Sequence, residues 1–329
     1  MRVLVLGGAG HVGSRLIGAL AATDWAEPLR GRRPGGRAGA ADGVREMPLD
    51  ILNIAALSAA LRGVDAVVNC VAGSADAISR GTEVLARAAL AAGCLRIVHL
   101  STMSVYGHYQ GVATEGTPLD PRLGWYGRAK CEAEGHVREF ARRGGSAVML
   151  RPGCVHGPGS ELWVGRVGRW LDSGRLGDLG AGGDGWSNLV HVDDVCAAVL
   201  AALRRPRSVG ELRTYNLAAP DSPRWNDYFV DLALAIGARP VVRVSRRRLQ
   251  LDTKLAGPPL KIGQMLLARA GLRQTRWPDP MPPGLARLWA QHIRLDAGRA
   301  SDELGLAWTR YADGVTDSAR WFLAKGRRP

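Results

Sequence analysis

The sequence is poor in cysteine and histidine, the residues that build disulfides and most metal sites. Its five cysteines are odd in number and widely spaced, and no two of them form a CxxC pair. No two of its seven histidines stand four residues apart, the spacing that would place both on one helix face. The sequence therefore predicts reduced thiols and no metal site.

Long apolar runs are missing as well. A membrane-spanning helix needs about 18 apolar residues or more, and the apolar stretch from Val195 to Leu203 is about half that length. The start, MRVLVLGGAG, has no separate basic region, long apolar core or cleavage site. We therefore expect a cytoplasmic protein without a membrane partner.

Acidic residues are fewer than basic ones, with 30 Asp and Glu against 44 Lys and Arg and a net charge of +14. An excess of positive charge can indicate nucleic-acid binding. Only four of the basic residues are lysine, however, and glycine reaches 43, a bias that a GC-rich genome produces without any partner. The arginine clusters also lie in separate segments with no recognisable nucleic-acid module. We expect no nucleic-acid partner.

Short apolar runs alternate with helical patterns over much of the chain. The runs predicted as strands are RVLVLG, EPLRGR, DAVVNCVA, RIVHLST, SAVMLRPG and RTYNLA. The predicted helices cover about residues 13–22, 54–61, 81–92, 126–142 and 195–203. Strands that alternate with helices indicate βαβ units. The predicted fold class is α/β, with a doubly wound parallel (Rossmann) sheet.

The pattern changes from Asp221 onward. Ser222 is placed to cap a helix with Pro223 at its first position, and apolar residues then recur at helical spacing, namely Trp225, Tyr228, Phe229, Leu232 and Ile236. Residues 246–289 mix arginine, proline and apolar residues, which predicts short helices and loops. We predict a dinucleotide-binding domain at 1–152 and 187–218, interleaved with a smaller α+β substrate-binding lobe at 153–186 and 219–329.

A glycine motif connects the first predicted strand to the first predicted helix. GGAGHVG places Gly7, Gly10 and Gly13 at G-x-x-G-x-x-G spacing. Glycines there permit a tight turn and let backbone N–H groups approach a pyrophosphate at the helix N-terminus, where the dipole favours negative charge. In this strand-to-helix context the motif predicts dinucleotide binding.

The end of the second predicted strand bears on which dinucleotide binds. An acid there would accept hydrogen bonds from a free ribose 2′-hydroxyl, but none occurs from Pro28 to Ala41. Arg30, Arg32 and Arg33 can instead pair with a 2′-phosphate, which favours NADP over NAD. In an arginine-rich chain these side chains can also be solvated surface, so NAD stays open.

The segment WYGRAK places Tyr126 four residues before Lys130. On a helix this spacing puts both side chains on one face. A nearby ammonium favours the phenolate and lowers the pKa of a tyrosine from about 10 toward working pH, as an acid/base residue needs. The alternative is an ordinary solvent-facing pair at a helix start.

Several motifs follow one another in a specific order: GGAGHVG, LDILN, STMSVYG, TPLDPRLGWYGRAKCEAE, RPGCVHGPG, NLVHVDDV and ELGLAWTRYADGVTDSARWF. With these motifs the chain resembles, nearly end to end, the extended short-chain dehydrogenase/reductase family, often labelled NAD-dependent epimerase/dehydratase. The resemblance implies an enzyme in which Tyr126 is the acid/base, Lys130 holds the nicotinamide ribose, and Thr102 hydrogen-bonds the reacting oxygen. It also implies that homodimers are common.

Together, motif and resemblance predict a cofactor-binding set: Gly7, Gly10, His11, Val12, Gly13, Arg30, Arg32, Arg33, Asp50, Ile51, Val71, Ala72, Tyr126, Lys130 and Val155. Tyr106 and His191 also belong to family motifs, and we interpret them as structural. The adjacent carboxylates Asp193 and Asp194 are interpreted as caps of the following helix.

Departures from the family pattern narrow the range of reactions that the resemblance implies. Sugar-nucleotide dehydratases of the family carry Asp-Glu after the threonine, where this chain has Met103 and Ser104, which argues against dehydration. Sugar-nucleotide epimerases usually have asparagine at the position of Cys154, and cysteine replaces its hydrogen bonding poorly. The RP start of RPGCVHGPG and the long arginine- and proline-containing insertion before RASDELG look more like the branch that includes hydroxysteroid dehydrogenases.

The sequence therefore predicts an NADP-dependent oxidoreductase that interconverts a secondary alcohol and a ketone on a bulky, apolar small molecule by hydride transfer. One alternative is a sugar-nucleotide epimerase or 4-ketoreductase, in which arginines of the second lobe hold the diphosphate. A non-catalytic cofactor-binding regulator is the third possibility, although such a protein need not retain threonine, tyrosine and lysine together.

Overall fold

The computed structural model describes residues 1–36, 43–122, 124–256, 259–260, 262–263 and 279–326. The strands, in chain order, are β1 (Arg2–Leu6), β2 (Glu27–Arg32), β3 (Glu46–Pro48), β4 (Ala66–Asn69), β5 (Arg96–Leu100), β6 (Gly111–Ala113), β7 (Ser146–Pro152), β8 (Cys154–His156), β9 (Leu189–His191), β10 (Leu212–Leu217) and β11 (Ile293–Leu295). The α-helices are α1 (His11–Ala21), α2 (Ile54–Ala60), α3 (Ala75–Ala92), α4 (Trp125–Arg142), α5 (Arg166–Asp172), α6 (Val192–Arg204), α7 (Trp225–Ala235), α8 (Arg246–Leu251), α9 (Pro283–Trp289), α10 (Gly298–Leu304) and α11 (Tyr311–Trp321).

The chain divides into two compact units. Unit 1 comprises Met1–Gly153, Val192–Ala218 and Leu295–Trp308, and unit 2 comprises Cys154–His191, Ala219–Arg294 and Thr309–Pro329. This division differs from the predicted one in three places, because residue 153 lies in unit 1, residues 187–191 lie in unit 2, and residues 295–308 return to unit 1. The return has a physical cause: the Tyr215 hydroxyl of β10 donates a hydrogen bond to the Glu303 carboxylate at 2.7 Å.

Unit 1 contains a seven-stranded sheet with the spatial order β3-β2-β1-β4-β5-β7-β10. Every neighbouring pair runs parallel, which confirms the predicted doubly wound α/β fold. Side chains alternate between the two faces of each strand. Leu4 and Leu6 of β1 belong to one core with residues of α2, α3 and α4, whereas Val3 and Val5 point to the other face. Helices α1 and α6 pack together outside that first core.

Two predicted helix caps are wrong. Helix α6 begins at Val192, directly after β9, so Asp193 and Asp194 lie inside its first turn. Asp193 binds Arg15 of α1 through two contacts, from Nε at 2.5 Å and from Nη2 at 2.8 Å. The Ser222 hydroxyl accepts the Leu189 N–H at 2.6 Å and does not cap α7.

Unit 2 has an aromatic core. The predicted stripe on α7 is buried, as expected from its helical spacing. Ring centres lie 5.6 Å apart for Trp225 and Phe229, and 5.3 Å apart for Phe229 and Trp289. The predicted short helices of residues 246–289 are represented by α8 and α9, while residues 264–278 lie outside the described residues. His191, interpreted above as structural, is buried in β9.

The described ranges contain no group of three or more His, Cys, Asp or Glu side chains placed to hold a metal ion. None of the helices in those ranges is both long enough and apolar enough to cross a membrane.

Candidate active site

The glycine loop after β1 is closed tightly on its inner side. Gly7 has a φ of +76°, and a Cβ there would lie 2.9 Å from the Cys70 carbonyl oxygen. A Cβ on Gly13 would lie 2.2 Å from the Gly7 carbonyl oxygen. Since these neighbours are backbone atoms, both positions require glycine. Gly10 is exposed, and the nearest atom to a Cβ there would be 3.3 Å away. The loop is therefore a tight turn with an open outer side.

Helix α1 begins directly after Gly10. Within the described residues no side chain caps this N-terminus, and the first turn holds no acidic residue. The positive end of a helix dipole and the backbone N–H groups of a first turn together attract an anion. The cradle fits a dinucleotide pyrophosphate, which Gly7, Gly10, His11, Val12 and Gly13 would hold.

The loop after β4 lies beside the glycine loop, as the close approach of Gly7 to Cys70 shows. Asn69 accepts the Val71 N–H at 3.1 Å and fixes the start of this loop. Val71 is half-buried and Ala72 is exposed. The structure therefore brings these two predicted cofactor residues to the same sheet edge as the glycines.

Two further predicted cofactor residues follow β3. The exposed Asp50 carboxylate accepts the Leu52 N–H at 3.0 Å, which makes it part of a turn. Ile51 is buried and packs against α3, where a Cβ on Gly81 would lie 2.8 Å from it. Val155, the last residue of the predicted set, lies in β8 of unit 2.

The three predicted arginines at the end of β2 have different surroundings. Arg30 is buried, and its Nη1 lies 3.1 Å from Glu46 Oε1. Arg32 Nε lies 3.1 Å from the other oxygen of the same carboxylate. Arg33 is exposed, and residues 37–42 lie outside the described residues. Glu46 on the neighbouring strand thus offsets the charge of two of the arginines, a partner that the sequence analysis missed.

The Tyr126 and Lys130 side chains come from the first turns of α4, as their spacing predicts. Lys130 is buried, and its Nζ donates to the Leu100 carbonyl at 2.7 Å and to the Val71 carbonyl at 3.5 Å. The ammonium is therefore fixed between the ends of β5 and β4. The pair is not the solvent-facing pair considered as the alternative.

Thr102 follows β5 and begins a short 3₁₀ turn. Its Oγ1 accepts the Ser104 N–H at 3.2 Å and lies 3.3 Å from the Ser104 hydroxyl. Thr102 also lies close enough to the Tyr126 phenol to lower the pKa of that phenol, against the larger effect of burial. The structure thus brings the three predicted catalytic residues together, with Ser104 as an additional hydroxyl.

Charge effects at the site differ from the expectation. Burial raises the pKa of Tyr126 above its ordinary value, while the hydrogen bond from Thr102 acts in the opposite direction. Burial lowers the pKa of Lys130 to about 8, against the influence of the Glu134 charge, which raises it. The predicted depression of the tyrosine pKa by Lys130 is therefore not found. The phenol is protonated at neutral pH and can donate a proton.

A buried polar network lies behind these residues. Glu134 Oε1 accepts the Ser101 hydroxyl at 2.7 Å and Arg151 Nε at 2.8 Å. Arg151 Nη1 donates to the Tyr106 hydroxyl at 2.9 Å, and that hydroxyl donates to Asn216 Oδ1 at 2.6 Å. Glu134 stands four residues after Lys130, and this spacing in the sequence indicates that both side chains lie on one face of the helix.

Known proteins of several activities resemble this chain. It is 31% identical to the 2'-dehydrokanamycin reductase of Streptomyces kanamyceticus, over 99% of this chain and 86% of that protein. It is 28% identical to the sterol demethylase protein B of Methylococcus capsulatus, over 99% of both. The Escherichia coli protein YeeZ is 32% identical, but the match spans only 53% of YeeZ and 49% of this chain.

Solved structures share the fold. The UDP-glucose 4-epimerase of Bifidobacterium longum, solved in complex with NAD+ and UDP, superposes with a TM-score of 0.74 over 99% of both chains at 18% identity. The model of the NAD dependent epimerase/dehydratase family matches residues 3–218. The chain therefore belongs to the NAD dependent epimerase/dehydratase family of extended short-chain dehydrogenases/reductases.

Proposed function

We propose that this protein is an NADP-dependent oxidoreductase that interconverts a ketone and a secondary alcohol on a bulky small molecule. The observation that carries the proposal is the placement of the half-buried Tyr126 one helical turn before Lys130, whose ammonium is buried and held on the Leu100 carbonyl at 2.7 Å. A neutral phenol is the form that a reductase needs as its proton donor. The resemblance to a reductase over 99% of the chain supports the same direction.

Each residue has a distinct role in this proposal. Thr102 and Tyr126 bind the carbonyl oxygen of the substrate and polarise the C=O bond. When bound, the nicotinamide cofactor supplies the hydride that the carbonyl carbon accepts. As the C=O π pair moves onto oxygen, Tyr126 donates its phenolic proton to that oxygen, and an alcohol results. Lys130, fixed on the Leu100 carbonyl, retains donors for the ribose hydroxyls of the cofactor.

An exposed tryptophan next to the catalytic tyrosine supports a bulky, apolar substrate. The Trp125 side chain is 59% exposed, and its ring meets that of Tyr126 edge-on at 5.7 Å between centres. A tryptophan surface left open beside a reacting group can pack against an apolar substrate when it binds.

The preference for NADP is supported by Arg33, which is exposed just after β2, where its guanidinium can pair with a 2′-phosphate. Arg30 and Arg32 contribute less, because Glu46 offsets their charge.

Replacing Tyr126 with phenylalanine tests the proposal directly. Reduction of ketones by NADPH and by NADH, followed at the absorbance band of the reduced nicotinamide, should lose at least about 100-fold in kcat in Y126F, because the proton donor is gone. Phenylalanine retains the ring and its packing, so folding and cofactor binding should persist. Turnover at the wild-type rate would mean that Tyr126 is not the acid.

A sugar-nucleotide epimerase or 4-ketoreductase is the second candidate, and one observation in unit 2 favours it. The guanidinium groups of Arg224 and Arg294 each lie over the Trp186 ring, 4.5 Å from its centre. Two cations held so close would suit a diphosphate. Against it, the Cys154 thiol is buried and its pKa is raised by that burial, so it offers little to an anion. NAD retained through purification, with epimerisation of a sugar nucleotide, would favour this candidate; consumption of NADPH with a ketone would favour the first.

A further inference from the structure

Helix α4 presents three side chains at intervals of one turn, Tyr126, Lys130 and Glu134. All three face the end of β5 and the residues that follow it, and two of them hydrogen-bond to this segment. Lys130 donates to the Leu100 carbonyl at 2.7 Å, and Glu134 accepts the Ser101 hydroxyl at 2.7 Å. Thr102, the next residue along, lies near the Tyr126 phenol and influences its pKa. The helix is therefore attached to consecutive residues of one short segment.

The Glu134 carboxylate has no exposed surface and is bound on both oxygens. Oε1 accepts from Ser101 at 2.7 Å and from Arg151 Nε at 2.8 Å. Oε2 accepts from Arg151 Nη2 at 2.7 Å and from Arg138 at 2.9 Å. Bidentate contacts with guanidinium are short, strong and directional. Glu134 therefore holds one defined position between α4, β5 and β7.

We propose that Glu134 is a positioning residue of the active site, which holds α4 against the end of β5 so that Tyr126 and Thr102 meet the same substrate oxygen. The inference rests on the proposed function, because it assigns Glu134 a role in that reaction. Tyr126 and Thr102 come from different elements, so their separation depends on how the helix sits on the strand end. A misplacement of about 1 Å at such a pair can lower a rate about 100-fold.

Glu134 also acts on Lys130 through its charge. The groups that interact with the Lys130 ammonium are the Cys70 thiol at the end of β4, His99 on β5, and Glu134 on α4. Burial, and secondarily Lys130, lowers the pKa of His99 well below its ordinary value, so this ring is neutral. Burial raises the pKa of the Cys70 thiol to about 12, so it too is neutral near pH 7. Glu134 is the negative charge within this set.

The two effects are separable by mutation. Ser101→Ala removes the hydrogen bond to the strand end and leaves the carboxylate and its ion pair with Arg151. Glu134→Gln removes the charge, and Glu134→Asp retains it on a shorter side chain. Arg142→Gln is the matched control, because Arg142 lies on the same helix with a 79%-exposed side chain and pairs with Glu139 at 2.9 Å.

Steady-state kinetics and cofactor binding test the proposal. S101A should lower kcat about tenfold with KM within about twofold, whereas R142Q should stay within about twofold in both. Cofactor Kd, measured by nicotinamide fluorescence, should rise in the wild type as the pH increases through about 8, the pKa of Lys130. Removing the Glu134 charge lowers that pKa, so E134Q should weaken binding at a lower pH than the wild type does, while E134D should keep the wild-type profile.

Wild-type kcat in S101A would overturn the positioning role, and this variant retains the buried ion pair between Glu134 and Arg151. A wild-type binding profile in folded E134Q would also overturn the proposal. If E134Q does not fold, the kcat values of S101A and E134D test the proposal instead. Both should be lower than the kcat of the wild type. A failure of the proposed function can be told apart from a failure of the role given to Glu134. If the proposed function is wrong, Y126F keeps its turnover, while the pH profiles of cofactor binding still report on Glu134.

Discussion

The two units bury different kinds of side chain. Among the described residues, the buried charged side chains all lie in unit 1, and they are Arg30, Lys130, Glu134, Arg151 and Asp194. Unit 2 buries large aromatic rings, including Trp170, Trp225 and Trp289, together with neutral polar groups. A buried charge is tolerated only where partners are fixed around it, whereas aromatic rings stabilise by area and shape. The contrast fits a division in which unit 1 carries the chemistry and unit 2 contributes shape.

The largest expected effect is on the free energy of unfolding, and it distinguishes stabilisation by paired buried charges from stabilisation by packed aromatic rings. Arg151→Leu leaves Glu134 as a buried charge that has lost its main partner, and we expect the free energy of unfolding to fall by about 3–5 kcal/mol in urea titrations. Adding Glu134→Met should recover most of this loss, since an apolar pair can replace a buried ion pair. Trp289→Ala in unit 2 should cost about as much through its cavity.

The contrast between buried charge in unit 1 and aromatic packing in unit 2 is contradicted if the Arg151→Leu, Glu134→Met double variant is as unstable as Arg151→Leu alone. Packing, and not charge, would then dominate in unit 1 as it does in unit 2.

Glycines that cannot accept a Cβ should also behave differently in the two units. Gly13→Ala places a Cβ 2.2 Å from backbone, so the cofactor loop must shift and affinity for NADPH should fall about 100-fold or more. Gly18→Ala on the same helix meets nothing within 4 Å and should leave affinity unchanged. Gly314→Ala in unit 2 approaches the His156 ring at 2.6 Å and should lower the melting temperature with affinity retained. Equal affinities in G13A and G18A would contradict the pyrophosphate cradle.

Cofactor selectivity offers a smaller effect within unit 1. Arg33→Ala should lower affinity for NADPH about tenfold and leave affinity for NADH unchanged, because only the 2′-phosphate loses a partner. Arg62→Ala, another exposed arginine, serves as the control. Parallel losses for both cofactors, measured by fluorescence titration, would assign Arg33 to general electrostatics.

The smallest expected effect concerns Trp125. Trp125→Ala should raise KM about fivefold for bulky ketones and leave small ketones unaffected, because only a large substrate reaches the indole. Val209→Ala, which is 76% exposed, is the control for surface apolar loss. An unchanged KM across a size series of ketones would place substrate selection outside unit 1.

Local sequence predicted the elements that have strong local signals. Apolar runs predicted the core strands, and the glycine spacing predicted the start of α1. The i, i+4 spacing placed Tyr126 and Lys130 on one helix. The sequence did not predict contacts between distant segments. Glu46 lies on a three-residue strand, which is too short to show a periodic pattern. Lys130 binds a backbone carbonyl, and no pattern of side chains indicates such a contact. The predicted pKa effect was wrong for the same reason, because burial depends on the whole fold.

The late return of the chain to unit 1 has a consequence for synthesis on the ribosome. Tyr215 of edge strand β10 binds Glu303 at 2.7 Å, and Arg205 donates to the Glu303 carbonyl at 3.0 Å. These partners are separated by 88 and 98 positions in the chain. At roughly 5–20 residues per second, β10 emerges several seconds before the segment that covers it. During that interval the nascent chain carries an open sheet edge, and protection by a chaperone would matter most there.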